Sequence, residues 1–235
     1  MNAYNDGNTE LINLQRFTLP KNAHRFDITF IVDEDGFASH KIEPKMAEEI
    51  PIFQKTLNKS AHQRPFIAFF DNVSVIFVYK EGKGYQCLDS WGGIYGRDLL
   101  IAFDKRKPTF CDDALEALRK KPSSAITDFV ELLTLTPGEQ PNRPLPFKIT
   151  SDAKNPILIE FDSYDGSKKA ATPIFLMALL LKQHIKALEA EGFTKGGLKH
   201  IGFSLGGCES KKTELFHKNI KESCALLKIH WTNHP

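Results

Sequence analysis

A cysteine becomes a nucleophile when a base takes its proton, an acid orients that base, and a helix N-terminus or a neighbouring cation lowers its pKa. His24, Glu43 and Cys87 follow one another along this chain. His24 and Glu43 stand at the two ends of one expected hairpin, and an antiparallel hairpin brings its ends back together. With Cys87 as nucleophile, His24 as general base and Glu43 as orienting acid, the set would carry hydrolysis or acyl transfer. The plainer reading is that His24 caps a strand, Glu43 precedes a helix and Cys87 is a small core residue.

Two further nucleophiles stand in the last third of the chain. Gly206-Gly207-Cys208 opens the final expected helix, a position where a thiolate is stabilised. Asp162, at the end of an earlier expected strand, would be its acid. Its base would come through space from His24, His40, His217 or His230, because no histidine occurs between His62 and His184. Ser204 sits in Gly202-Phe203-Ser204-Leu205-Gly206, between an expected strand and a helix, and this run resembles the nucleophile elbow of the α/β-hydrolases. His230 or His234 could act as its base, but no later strand remains to place an acid. His230 and His234 have no carboxylate close by to complete a metal site. Phosphate-binding, dinucleotide and EF-hand patterns are missing, so no cofactor or metal is expected.

The run His24-Arg25-Phe26-Asp27-Ile28, continuing to Ile42-Glu43-Pro44, resembles the catalytic hairpin of the YopJ family of effector acetyltransferases and the related ubiquitin-like-protein cysteine proteases. There a strand opens on His, its partner ends in Glu-Pro, a helix follows, and a Cys comes later. The resemblance implies a thiol-dependent hydrolase or acyltransferase acting on protein substrates, of the kind used by bacterial effectors, with Gln86 as an oxyanion donor. Asp89-Ser90 resembles the Asp-Ser strand end of the same proteases, with Asn72 or Val73 where they carry His one strand earlier. That replacement supports a different expectation, a non-catalytic module on a degenerate enzyme fold that binds a protein partner. Trp91, Tyr95 and Phe103 would then be contact residues.

The elements that must position these groups follow from periodicity. Phe26–Val32 and Phe37–Glu43 read as a hairpin across Asp33–Gly36. A helix is expected from Pro44, with Met46, Ile50, Phe53 and Leu57 on one face. Pro65–Phe70, Val73–Tyr79 and Tyr85–Leu88 read as apolar strands. Helices are expected over Asp112–Lys120 and Ser124–Leu135, each stopped by a proline. Phe147–Thr150 and Pro156–Phe161 form another hairpin. A long helix spans Thr172–Glu191 and ends at Gly192, a strand covers Leu198–Phe203, and Lys211–Leu227 is helical. The expected class is α+β, a mixed or antiparallel sheet flanked by helices. The Pro-rich segment 137–146 would separate a lobe of residues 1–136 from one of 147–235, or form a loop in one continuous domain.

Composition narrows the function classes. The chain has 235 residues, 31 Lys and Arg against 29 Asp and Glu, and a net charge of +2. The basic residues are scattered among acids, so nucleic-acid binding is not expected. The longest apolar run, Pro173 to Leu181, is far short of the roughly 20 residues that cross a bilayer. The first ten residues are polar and carry no secretory pattern. Cys87, Cys111, Cys208 and Cys224 are widely spaced, as reduced thiols are. A soluble protein is expected, cytoplasmic or exported without a cleavable signal.

Overall fold

The computed structural model describes residues 2–5, 8–13, 19, 22–61, 63–141, 143–193, 200–206, 210–229 and 231–233. It forms an α+β fold in two compact units, residues 1–47 and 48–235.

The first unit consists of two hairpins, β1 (Asn2–Asn5) with β2 (Asn8–Asn13) and β3 (Arg25–Val32) with β4 (Ala38–Lys45). The second hairpin is the one the alternation predicts. Its register pairs Phe26 with Pro44, Ile28 with Ile42, Phe30 with His40 and Val32 with Ala38. Because side chains alternate along a strand, these residues share one apolar face. Arg25, Asp27, Thr29, Lys41, Glu43 and Lys45 take the other, where Lys41 pairs with Glu43 and Lys45 with Asp27. The turn is tied by Asp33, whose Oδ1 accepts from the Asp35 and Phe37 amides. Pro44 does not open a helix as expected. It stays extended at the end of β4, and α1 begins at Glu49.

The second unit runs α1 (Glu49–Asn58), β5 (Phe66–Phe70), β6 (Val73–Lys80), β7 (Gly84–Cys87), β8 (Arg97–Asp98), β9 (Ile101–Ala102), β10 (Thr109–Phe110), α2 (Leu115–Lys120), β11 (Ala125–Ile126), α3 (Phe129–Thr134), β12 (Lys148–Thr150), β13 (Leu158–Asp162), β14 (Lys168–Ala171), α4 (Pro173–Ala190), β15 (Ile201–Leu205), α5 (Ser210–Leu226) and β16 (Trp231–Asn233). Its main sheet is six-stranded, in the order β16-β15-β5-β6-β7, with β8 also beside β6. β15 is parallel to β16 and β5, and the other pairs are antiparallel, so the sheet is mixed.

Both faces of this sheet are covered, which is why β5 reads as an unbroken apolar run and is buried throughout. On one face Phe53 of α1 meets Phe66 and Phe77 edge-on, and Phe66 meets Tyr85. On the other, Ile67, Phe69, Ile76, Val78 and Phe203 pack in one core with Leu132 of α3, Leu176 and Leu180 of α4 and Phe216 of α5. Phe147, Ile159 and Phe161 belong to that same core. The Pro-rich segment 137–146 therefore lies inside the second unit, with the chain on both sides of it sharing one core.

α4 matches its expected span. Thr172 Oγ1 caps it by accepting from the Phe175 amide, and Pro173 takes the first helical position. The helix expected over Ser124–Leu135 is shorter. Ala125–Ile126 pairs with β9 instead, and Asp128 turns the chain at φ 61° before α3 starts.

Candidate functional site

The first expected set divides between the two units. His24 precedes β3. Its backbone amide donates to the Lys45 carbonyl at 3.0 Å, and its ring Nδ1 accepts from the Ala47 amide at 3.2 Å. An accepting Nδ1 leaves the proton of the neutral ring on Nε2. Glu43 lies opposite Asp27, and its carboxylate binds Lys41 Nζ at 2.8 Å. That hydrogen bond and charge hold Glu43 below the usual carboxylate range.

Cys87 ends β7 in the second unit, opposite Phe77 and on the sheet face that α1 covers. Burial, with the Asp89 carboxylate second, pushes its thiol up to about 11. A nucleophilic thiol needs the opposite shift. Gln86 points to the other face of the strand, and its amide nitrogen donates to the carbonyls of Lys83 and Tyr85. Burial also raises Cys111 and Cys224, each to about 12.

Cys208 lies outside the described residues. Its expected acid, Asp162, ends β13 and accepts from Lys168 Nζ across the β13–β14 pair at 2.8 Å, which lowers its pKa together with a hydrogen bond from Ser123.

Ser204 lies inside a strand. It pairs with Ala68, and β15 continues through Leu205. The glycines around it have a packing cause. A Cβ on Gly202 would sit 2.1 Å from the Phe66 ring, and one on Gly206 would sit 2.5 Å from the Phe70 ring. Gly202, Ser204 and Gly206 are thus the small face of a strand laid against Phe66, Ala68 and Phe70 of its neighbour. The spacing that resembles a nucleophile elbow is here the period of a strand.

Asn72, at the β5–β6 turn, is also engaged. Its amide oxygen accepts from the Asp128 and Phe129 amides at the start of α3, and its nitrogen donates to Thr127 Oγ1 at 2.8 Å. This cap holds α3 to the sheet.

One polar cluster was not expected from the sequence. His184 of α4 is completely buried. Its Nδ1 lies 2.9 Å from the Leu180 carbonyl, which can only accept, so Nδ1 carries the proton and donates. Nε2 then accepts from the Ser74 hydroxyl at 2.8 Å. Trp91 Nε1 donates to both oxygens of Ser74, and the Trp91 ring stacks 4.2 Å from His184. Burial holds His184 neutral, with its pKa down at about 4. Gly96 lets the chain pass over Ser74, since a Cβ there would meet the Ser74 carbonyl oxygen at 2.2 Å. The pair has the chemistry of a serine and a base, but both residues are sealed in the core. Its sequence signal was a histidine on the apolar face of α4, in step with Met177, Leu180, Leu181 and Leu188.

Among the described residues, no group of three or more His, Cys, Asp or Glu side chains is placed to hold a metal ion. No helix among them is long and apolar enough to cross a membrane. No protein-family model matches this chain, and no curated protein matches it in sequence.

Proposed function

We propose that this protein is a protein-binding module without catalysis of its own, and that its contact element is the β3–β4 hairpin. The occupant is an extended segment of a partner protein that adds as a third strand along β3. The observation that carries this reading is the apolar face of the hairpin, on which Phe30 and Val32 are 59 and 66% exposed, with Phe37 at the turn 73% exposed. A two-stranded sheet is marginal in water without a third strand or a covering layer.

The two edges differ. β4 is guarded by Lys41, Lys45 and Pro44, which has no N–H to offer. β3 contains no proline, and its second half, Thr29-Phe30-Ile31-Val32, has no charge. Strand addition draws affinity from backbone hydrogen bonds and selectivity from alternate side chains. Asp33, Glu34 and Asp35 at the turn favour a basic partner segment. The raised thiols support the same reading, since none of the three described ones is activated.

The test is a titration of the full chain, labelled for amide NMR, with a ten-residue peptide alternating valine and lysine. Shifts should concentrate on β3 and disappear in the Phe30→Lys variant. Shifts scattered over both units, or equal in the variant, would refute strand addition. Iodoacetamide at pH 6 tests the other half of the proposal. Rapid modification of a single cysteine would restore the thiol-enzyme reading, with Cys87, His24 and Glu43 or with Cys208 and Asp162.

A further inference from the structure

Beyond the hairpin, the second unit carries a cleft of about 350 Å³ beside the Trp91 turn. It is lined by Trp91, by Thr109 and Phe110 of β10, and by Gln183, Lys186 and Ala187 of α4. Arg97 lies over the Trp91 ring with its guanidinium carbon 5.3 Å from the ring centroid. That stacking holds the planar fork in place, and a held fork loses little freedom on binding. Lys186 of α4 also lines the cleft. Among the described residues neither cation forms a salt bridge. Thr109 lines the same cleft.

We propose that this cleft binds the carboxylate of an apolar molecule, either a small aliphatic or aromatic acid or the C-terminal residue of a peptide. Arg97 takes the carboxylate through its fork, and Lys186 adds a second positive charge. Phe110 and Ala187 line the walls around the apolar body. Charge selects carboxylate over phosphate. Asp113 also lines the cleft, and Asp98 and Asp112 join it in electrostatic range of Cys111, so every further negative charge on a ligand is disfavoured. A phosphate monoester carries nearly two at neutral pH. The volume lies at the small end of the range for ligand sites and suits one side chain or a short acid.

Calorimetry on the full chain tests this with 3-phenylpropionate and its uncharged amide, 3-phenylpropionamide. The acid should bind at least about tenfold more tightly than the amide, the usual scale for a charge-assisted hydrogen bond. Arg97→Gln should remove most of that preference. Because Arg97 also packs on Trp91, Lys186→Glu serves as a variant that leaves the stacking intact, and it should weaken the acid several-fold without changing the amide. A hexapeptide ending in phenylalanine, free or amidated at its C-terminus, separates the two sources. Tighter binding of the free peptide than of 3-phenylpropionate assigns the site to protein C-termini, and the reverse order assigns it to small acids. Equal binding of acid and amide, or unchanged acid binding in Lys186→Glu, overturns the proposal.

Discussion

The β3–β4 and β5–β6 hairpins both join their strands through short acidic turns, but they sit in opposite environments. In β5 every residue is buried, because Phe66 on one face meets Phe53 of α1, while Ile67 and Phe69 on the other pack with α3, α4 and α5. In β3 the apolar residues alternate as far as the run Phe30-Ile31-Val32, and most of them remain exposed. Burial changes chemistry as well as packing. In the first unit Glu43 and Lys41 are exposed ions that each strengthen the other's charge. In the second, Cys87 and His184 are held neutral by loss of water. One region exposes charge and apolar surface, and the other suppresses ionisation.

The largest test of this contrast is a pair of truncations. Phe66→Ala should cost about 3–5 kcal/mol in urea unfolding, because it opens a cavity in the aromatic layer. Phe30→Ala in β3 should stay within about 0.5 kcal/mol. Comparable losses at the two sites would mean that the hairpin face is covered.

His184 gives the next effect, read from pH. Its folded pKa of about 4 lies below the unfolded value near 6.5, so the unfolded chain takes up the proton first. Stability should be flat with respect to this group above pH 6.5. It should fall as the pH drops from 6.5 to 4, by on the order of 3 kcal/mol. His184→Gln should flatten that part of the urea-stability profile. An unchanged slope in the variant would assign acid sensitivity to other groups.

Glycines provide a third, smaller comparison. Gly202→Ala should lower stability by about 1–3 kcal/mol, because the Phe66 ring occupies the space of the new methyl. Gly36→Ala, at the β3–β4 turn, meets no atom within 4 Å and bears only the strain of φ 84°, about 1 kcal/mol. Thermal unfolding should rank the two in that order. The smallest effect is expected at Glu43→Gln, which removes an exposed pair with Lys41 and should leave the unfolding midpoint unmoved. A measurable drop there would give Glu43 a structural role beyond that pair.

How much was legible depended on whether the deciding interaction was local. The β3–β4 register follows from Phe26, Ile28, Phe30 and Val32 alternating across a turn that Asp33 ties by itself. α4 was legible from Thr172, Pro173 and Gly192. α3 was not, because its start is set by Asn72, more than fifty residues earlier, whose side chain accepts from the Asp128 and Phe129 amides. The Gly202–Gly206 run was open to two readings for the same kind of reason. Its spacing fits an elbow or a strand, and only the Phe66 and Phe70 rings on the neighbouring strand make it a strand.

The sequence by itself determined the α+β class, the apolar strands, the amphipathic β3–β4 hairpin and the span of α4, since these rest on periodicity, caps and turns within a few residues. Tertiary structure decided which polar groups meet and which hold a charge. Ser74 reaches His184 across 110 positions, and burial in the folded sheet pushes the Cys87 thiol up, away from a reactive thiolate. Hydrogen-bond geometry and local dielectric belong to the packed chain, and neither is written in the spacing of residues along it.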